Sequence, residues 1–594
     1  MTSLNLIFLW HMHQPDYRDD KTGEFRLPWV YLHATKDYTD MAAHLEAHPR
    51  IKAVVNFVPI LLDQIEDYAA QFAGGQMRDP LLRLLAAPDL NQITAIERER
   101  VFEQCFRSNR ATMIKPYPAY THLLEMYHLL EAKGGTSLDY FSGQYLADLL
   151  VWYHLVWIGE SVRRSHELVA RLMAKGSGFA YAERAELFEL IGGLMQDLIP
   201  RYRKLAASGQ IELSTTPHYH PLAPLLINFA SARDSMPTAV LPEQPGYPGG
   251  RGRVAAQLQA AVASHMRRFG EPPAGVWPAE GAVSQATMEV LAEQGCRWSA
   301  SGEGVLANSL YLSAPDAPAL SPPLPNEERA RYLYRPYRLP GCGDMLCFFR
   351  DEKLSDLIGF EYAKWFGRDA ARHFTGALQD IARAAPPGQT LAQLPAQLPV
   401  VSVILDGENA WEYYPYNGYH FLNDLYESLE QHPAISTTTY REYCDAVNAA
   451  TEREAGVSVL PKLAAGSWVY GTFSTWIGEP DKNRAWDLLC AAKQSYDMVM
   501  QSSRLSADEK IAAERQLSAC ESSDWFWWLG AYNPPHAVAS FDKLFRVNLA
   551  NLYGMLKLPV PAAVLQPISQ GGGHPEAGGA MRRSEDRGQR TDDR

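Results

Sequence analysis

Seven short apolar runs lie along the first two thirds of the chain, and each of them ends in polar residues. They show no clear alternation of apolar and polar positions, and long helical patterns such as Leu149–Met173 and Val254–Phe269 separate most of them. Strands of this kind, separated by helices, predict a parallel sheet that is covered on both faces. The predicted strands are Leu4–Trp10, Lys52–Phe57, Gln210–Ser214, Ala274–Trp277, Cys296–Ser301, Met345–Phe349 and Val400–Leu405.

Polar side chains collect just after these runs, where a parallel sheet or barrel carries its chemistry. Because the carboxyl ends of parallel strands meet at one edge, several polar strand ends together indicate a shared cleft. The candidate residues at these ends are His11 and His13, Asn56, His218 and His220, Glu280, Arg350 and Asp351, and Asp406 and Glu408.

The first of these strand ends carries the pattern H-x-H. His11 and His13 alternate along a strand and therefore point the same way, and imidazole pairs suit zinc and similar ions. No acidic or cysteine third ligand is adjacent, so the pair is more simply read as two polar ligand-binding groups.

Two carboxylates follow separate strands, and that pair is the minimum that glycoside cleavage requires. Each also has a structural interpretation. Glu280 precedes a helix whose predicted N-cap is Ser284, and an acid is favoured near a helix N-terminus. Asp406 and Glu408 could be solvated acids of a capping loop. Tryptophans and histidines nearby would offer stacking faces and hydrogen bonds to sugars.

Composition narrows the class of protein. The 594 residues are 46% hydrophobic with a net charge of −13, which argues against nucleic acid as a partner. The seven scattered cysteines predict reduced core thiols. The N-terminus has no basic region and no cleavage site, and its apolar run Leu4–Trp10 is too short for a signal peptide or a membrane span, so we expect a cytoplasmic protein.

Four motifs occur in order at wide spacing: H-Q-P at 13–15, G-Q-I-E-L at 209–213 with His220-Pro221 downstream, W-P-A-E at 277–280 and L-D-G-E-N at 405–409. G-S-W at 466–468, T-W-I-G-E-P-D-K-N-R-A-W-D at 475–487 and S-S-D-W-F-W-W at 522–528 follow. From about residue 4 to 560 the chain resembles glycoside hydrolase family 57, and its C-terminal motifs resemble the α-amylase and amylopullulanase branch.

The resemblance implies an α/β fold: a (β/α)₇ barrel, which is an incomplete TIM-like barrel, followed by a mostly α-helical domain. We expect the catalytic barrel with helical insertions over 1–454, a helical domain that completes the cleft over 455–562, and a disordered tail over 563–594. Pro- and Gly-rich loops are predicted at 241–250, 313–325 and 384–389.

The resemblance also assigns roles. It implies that Glu280 is the nucleophile and Asp406 the general acid/base, with no metal and no cofactor. Their carboxyl groups should lie ~5–5.5 Å apart, and the charge of Glu280 should raise the pKa of Asp406. Expected substrate contacts are His11, His13, His218, His220, Trp277, Asp351, Glu408, Trp411, Trp525 and Trp527.

The expected activity is retaining hydrolysis of α-1,4 and possibly α-1,6 bonds in glycogen, starch-type glucans or maltooligosaccharides. Three alternatives stay open at this point. The glycosyl-enzyme could be intercepted by a sugar, giving 4-α-glucanotransferase or branching activity. His11 and His13 could serve a metal-dependent carbohydrate hydrolase or deacetylase. The chain could also bind glucan without turning it over.

Overall fold

The computed structural model describes residues 3–132, 135–313, 324–384, 399–450 and 457–573. The domain boundary expected at 454/455 lies outside these ranges, as do most of the loops expected at 313–325 and 384–389 and residues 574–594 of the expected tail. The loop at 241–250 is described and contains no strand, and a helix starts at its last residue.

A closed barrel of seven parallel strands forms the centre of the fold. β1, β2, β3, β4, β5, β7 and β8 pair in that order, and β8 pairs again with β1 to close the ring. The seven predicted strands and the (β/α)₇ barrel are thereby confirmed. The strands are β1 Leu4–Met12, β2 Ala53–Phe57, β3 Ile211–Thr215, β4 Gly275–Val276, β5 Trp298–Gly302, β6 Tyr337–Arg338, β7 Leu346–Arg350, β8 Val400–Asp406, β9 Ile435–Thr437 and β10 Ser458–Val459.

Three short strands were not predicted, and all of them extend the sheet outside the ring. β6 is antiparallel to β7, β10 is parallel to β6, and β9 is parallel to β1. Each contains only two or three residues, and a run of that length is too short to show a recognisable hydrophobic pattern.

The two faces of each barrel strand pack into different clusters. Ile7, Leu9, Val54, Phe348 and Ile404 belong to a small cluster in the barrel interior. The alternate residues of the same strands join a large cluster with the surrounding helices. Because side chains alternate along a strand, the next residues of the interior series lie at the open, carboxyl end of the barrel. These residues are His11, Asn56, Arg350 and Asp406.

Helices fill the connections and the C-terminal region. The α-helices are Trp29–His33, Thr39–Ala47, Pro59–Gly74, Pro80–Leu85, Ala95–Gln104, Pro118–Glu131, Gly143–Val156, Glu160–Ser165, Glu167–Lys175, Tyr181–Ala207, Ala223–Ile227, Gly250–Phe269, Gln285–Glu293, Glu303–Ser313, Asn326–Glu328, Glu352–Asp356, Gly367–Ala384, Tyr419–Glu430, Tyr440–Ala449, Pro480–Met500, Ala507–Cys520, Ser523–Trp528, Pro535–Met555 and Ala562–Leu565. Single turns of π-helix lie at Ala34–Tyr38, Arg110–Ile114, Arg329–Leu333 and Leu357–Glu361, and 3₁₀ turns at Gly135–Tyr140, Phe229–Asp234, Ala279–Gly281, Tyr362–Lys364, Trp411–Tyr413 and Pro415–Gly418.

Several local predictions can be compared directly with these bounds. Ser284 caps its helix as predicted, and its hydroxyl accepts a hydrogen bond from the Thr287 amide at 3.2 Å. The single pattern predicted over Leu149–Met173 is instead split among three helices. The helical pattern is interrupted around Gly159, where a Cβ atom would come within 2.4 Å of the Asp40 carboxylate.

Two further observations bear on the class of protein. All seven cysteines are buried and unpaired, as the sequence predicts. Among the described helices, none combines the length and apolar character that crossing a bilayer demands.

Candidate active site

A cavity of about 770 Å³ opens at the carboxyl end of the barrel. Its walls include the barrel strand ends, the helical insertion between β2 and β3 (around 106–111 and Trp157), the segment 468–470 and the C-terminal helices (around 524–541). Its volume lies in the ordinary range of ligand pockets. Of the residues expected from the sequence, it is lined by His11, His13, His220, Glu280, Asp406, Glu408 and Trp527.

Strand register brings one layer of polar side chains together. Asp406 pairs with His11 across β8 and β1, His11 pairs with Asn56 across β1 and β2, and Asn56 pairs with Ser214 across β2 and β3. In a parallel sheet, register partners point to the same face. The four residues therefore form a lateral row around the mouth of the barrel, although they are far apart along the chain.

Hydrogen bonds along this row fix the histidine tautomers. His11 Nδ1–H donates to Asn56 Oδ1 at 2.7 Å, which leaves His11 Nε2 to accept from His220 Nε2–H at 3.1 Å. His220 Nδ1 then accepts from the Ser523 hydroxyl at 2.8 Å. Burial is the first cause that lowers the pKa of His11, to about 3, and it lowers the pKa of His220 as well. Both rings are therefore neutral.

His13 is held from the C-terminal helices. Its Nε2–H donates to Asp524 Oδ2 at 2.8 Å, a contact between residues 511 positions apart. The Ser522 hydroxyl donates to the same carboxylate oxygen at 2.6 Å. His13 Nδ1 is buried without a hydrogen-bond partner among the described residues. That nitrogen is the group of His13 that could bond to a ligand.

His13, His220 and Asp524 are close enough together to raise the question of a metal. The rings of His13 and His220 are stacked, with centroids 3.7 Å apart and planes 19° apart. Their in-plane lone pairs therefore lie in nearly parallel planes, which does not suit convergence on one ion. Both nitrogens of His220 and of His11 are already engaged within the protein. This donor set fits a hydrogen-bonded cluster and does not fit a metal centre.

The backbone at Glu280 is strained and is supported by a distant segment. Glu280 has φ 60° and Gly281 φ 55°, in the left-handed region that favours glycine. A side chain on Gly281 would come within 2.6 Å of the Trp277 ring. The Glu280 carbonyl accepts from the Ser467 hydroxyl at 2.8 Å and from the Trp468 amide at 3.2 Å. Strain that surrounding contacts maintain is common at functional sites.

The two carboxyl groups share an electrostatic environment. Burial first, then the charges of Asp406 and Asp524, raises the pKa of Glu280. Burial raises the pKa of Asp406 to about 6, opposed by a 2.8 Å hydrogen bond from Asn409. Burial is thus the main cause at Asp406, where the sequence argument expected the charge of Glu280. Trp468 Nε1–H donates to Glu280 Oε2 at 3.1 Å, and Glu280 lines the cavity.

Glu408 lies beside this pair and is almost fully buried. Its Oε1 accepts from the His13 backbone amide at 3.3 Å and from the Gln14 side chain at 3.4 Å. Burial and the charge of Asp406 raise the pKa of Glu408, so the carboxyl tends to keep its proton. Gly407 allows the segment after β8 to lie close to the end of β1, because a Cβ atom at position 407 would lie only 2.1 Å from the Met12 sulfur.

The family model of glycosyl hydrolase family 57 matches residues 7–459. The chain belongs to this family, and it is a glycoside hydrolase. Three similar solved structures have the same overall fold. Branching enzymes of the family from Thermococcus kodakaraensis and Pyrococcus horikoshii are each 16% identical, with TM-scores of 0.53 and 0.52. They cover 94% and 96% of this chain, and 89% and 97% of their own chains. An α-amylase from Thermotoga maritima is 14% identical with a TM-score of 0.50, covering 93% of this chain and 94% of its own.

Five residues expected at the family site lie outside the cavity lining. Trp277 and Trp411 are buried behind it, where Trp277 packs edge-on against Trp468 and Trp411 donates to the Gly407 carbonyl at 2.9 Å. Trp525 is a core residue that donates to the Ala519 carbonyl at 2.9 Å.

His218 and Asp351 are also engaged elsewhere. His218 Nε2 bonds to Asp63 at 2.8 Å on the outer side of the barrel loops. Asp351 begins a helix, accepts from the Leu354 amide at 2.8 Å and forms an ion pair with Arg329. The interior position at the end of β7 belongs to its neighbour Arg350, whose guanidinium lies over the Trp468 ring at 5.2 Å.

Sequence reasoning did not select Asp524, Trp468 or Asn409 as site residues. Asp524 and Trp468 stand within motifs that carry the resemblance, S-S-D-W-F-W-W and G-S-W, so a signal was present. Asn56, which the sequence analysis did name among the polar strand ends, lies near the end of its strand in the interior series.

Proposed function

We propose that the chain is a retaining glycosidase acting on α-glucans, with Glu280 as nucleophile and Asp406 as general acid/base. The observation that carries the proposal is that these two carboxyl groups, which follow separate strands, line one cavity at the carboxyl end of the barrel. Family membership and the names of the similar solved structures support an α-glucan substrate.

In the first step Glu280 Oε1, the oxygen that does not accept from Trp468, attacks the anomeric carbon while the bond to the leaving oxygen breaks. Asp406 donates its proton to that oxygen, and a β-glycosyl ester forms on Glu280. Trp468 Nε1–H holds the second oxygen of Glu280 in place. In the second step Asp406 takes a proton from water, whose oxygen attacks the same carbon and releases Glu280.

The remaining polar groups of the cavity bind the sugar in this proposal. His13 Nδ1 is a buried polar atom that lacks a hydrogen-bond partner among the described residues, so a substrate hydroxyl group would satisfy it. The neutral rings of His11 and His220 each form two hydrogen bonds within the protein, and they hold His13 in position by stacking against its ring. Trp527 offers an aromatic face on the C-terminal wall.

Transfer to a second sugar is the alternative outcome of the same intermediate. The cavity extends from the helical insertion, at Arg107 and Asn109, to the C-terminal helices, at His536 and Phe541. The cavity therefore extends to both sides of the carboxyl pair, and an acceptor glucan bound there could take the place of water. Product analysis on maltooligosaccharides distinguishes the two activities, because transfer gives longer products and hydrolysis gives only shorter ones.

Azide rescue tests the two assigned roles. With an α-glucosyl substrate that carries an activated leaving group, Glu280→Gly should be rescued by azide and should give the β-glucosyl azide, because azide replaces the missing nucleophile. Asp406→Ala should give the α-glucosyl azide, because azide then attacks the glycosyl-enzyme. Rescue with the opposite anomers would reverse the assignment, and near-normal turnover by either variant without azide would refute it.

A further inference from the structure

Two segments of the chain run outward from the cavity rim and carry exposed aromatic rings. Phe360 and Tyr413 line the cavity, and Tyr413 is itself 41% exposed. A few residues further along each segment stand Trp365 (44% exposed), Phe366 (84%) and Tyr416 (56%). We call Trp365, Phe366, Tyr413 and Tyr416 the rim patch.

Buried side chains of the two segments contact each other beneath the patch. The Tyr414 hydroxyl donates to the Ile358 carbonyl at 2.5 Å, and the Phe421 ring packs against both Tyr414 and Tyr362, with centroids 5.5 and 5.4 Å apart. A side chain on Gly367 would come within 2.9 Å of the backbone of the exposed His420. The patch is therefore one surface, built on a packed foundation.

Tyr416 is presented to solvent by a strained turn. Tyr416 and Asn417 have φ of 55° and 54°. The Asn417 side chain donates to Asp40 at 2.8 Å and accepts from Lys36 at 2.9 Å, and both partners are buried. Left-handed backbone at two successive non-glycine residues persists only where the surroundings enforce it. The strain keeps a large ring out of the core and in water.

Polar groups lie between the rings. The Arg164 guanidinium lies 4.4 Å from the Tyr419 ring centroid and 5.8 Å from that of Tyr416, and it bonds to His420 Nε2 at 3.2 Å. Flat aromatic faces suit the apolar faces of glucose rings, while guanidinium and imidazole groups suit hydroxyls. The alternation of rings and polar groups differs from the contiguous apolar surface typical of the core of a protein interface.

We propose that the rim patch binds a remote stretch of the same polymeric α-glucan whose bond is positioned at Glu280 and Asp406. The inference rests on the proposed function, and its particular basis is continuity: Phe360 and Tyr413 belong to the cavity lining, and the patch continues outward from them. The patch would act on long or branched glucans and would not be reached by short oligosaccharides.

The test compares glycogen with maltotriose. Phe366→Ala and Tyr416→Asn are combined in one variant, because asparagine tolerates the left-handed backbone at 416. Tyr140→Ala is the matched control, since Tyr140 is as exposed as Phe366, at 84%, and lies outside the cavity lining. Binding of glycogen is measured by affinity electrophoresis, and turnover is measured on glycogen and on maltotriose.

The double variant should bind glycogen about tenfold more weakly, should show a KM for glycogen raised to match, and should keep its kcat/KM for maltotriose. Unchanged glycogen binding, or an equal loss in Tyr140→Ala, would overturn the inference. So would a changed oligomeric state by light scattering with unchanged glycogen binding, which would make the patch a protein contact. If the unaltered protein neither binds nor converts any α-glucan, the proposed function itself fails.

Discussion

The barrel mouth and the C-terminal segments contribute to the same site in different ways. In the barrel, the row Asp406, His11, Asn56 and Ser214 is set by strand register, so backbone pairing alone places the side chains. The C-terminal segments act from outside the ring. Ser467 and Trp468 hold Glu280, and Asp524 holds His13.

The difference suggests a division of labour. Register-fixed side chains are held on rigid strands, which suits groups that must meet the reacting carbon with little error. The C-terminal groups instead contact Glu280 and His13, which lie just beyond the ends of their strands, and would act through them. If this division holds, substitutions on the barrel side should abolish the chemistry, while C-terminal substitutions should weaken it in graded steps.

The largest effect is expected on the barrel side at Glu280. Glu280→Gln keeps the shape and the bond from Trp468 but removes the proposed nucleophile, so kcat should fall on the order of 10⁴-fold or more with little change in melting temperature. Glu289→Gln is the matched control, because Glu289 lies on the following helix outside the cavity and should keep full activity. A loss in Glu280→Gln smaller than about tenfold would contradict the role of Glu280.

An intermediate effect is expected at Asp524. Asp524→Asn keeps an oxygen for His13 but removes the charge, so the ring loses a charge-assisted bond of about 1.5–3 kcal/mol. Activity should fall roughly 10- to 100-fold, and a positioning role should appear mainly in kcat. Asp497→Asn, on the neighbouring helix Pro480–Met500, serves as the control. A loss as large as that of Glu280→Gln would make Asp524 part of the chemistry and end the division proposed here.

A smaller effect is expected at Ser467. Ser467→Ala removes one of two hydrogen bonds to the Glu280 carbonyl and leaves the Trp468 amide in place. The strained backbone should become looser, with a cost of about 1 kcal/mol and a kcat lowered by roughly tenfold or less. Ser474→Ala, in the same segment, should change neither kcat nor melting temperature. Equal losses in both variants would show that the segment, and not the bond to Glu280, matters.

The same division explains what the sequence could reveal. Runs such as Val400–Leu405 predicted the barrel strands because burial on both faces leaves a local hydrophobic pattern, and polar strand ends indicated the cleft. Choosing between Arg350 and Asp351, or between His218 and His220, needed the exact end of a strand and the partner of a loop, which a pattern leaves undetermined by a residue or two.

The contact between His13 and Asp524 is even harder to predict from the sequence. It joins residues 511 positions apart and depends on how a helical region packs over the barrel. Nothing local to either residue encodes it, and the motif S-S-D-W-F-W-W indicates only that the segment matters. Secondary structure follows from local patterns, whereas a site assembled across the chain follows from packing.

The smallest effect is expected in the pH dependence of kcat/KM when Asn409, on the barrel side, is substituted. If Asp406 is the acid, it must be protonated, so kcat/KM should fall as pH rises above about 6, the pKa that burial gives Asp406. The Asn409 amide stabilises the ionised form, so Asn409→Leu should raise this pKa and move the alkaline limb upward by about one pH unit or less. Ser467→Ala should leave the limb in place, because the Ser467 hydroxyl bonds to the backbone of Glu280 and of Val469 and not to a carboxyl group. A limb that moves downward in Asn409→Leu, or that moves equally in Ser467→Ala, would assign the ionisation to a group other than Asp406.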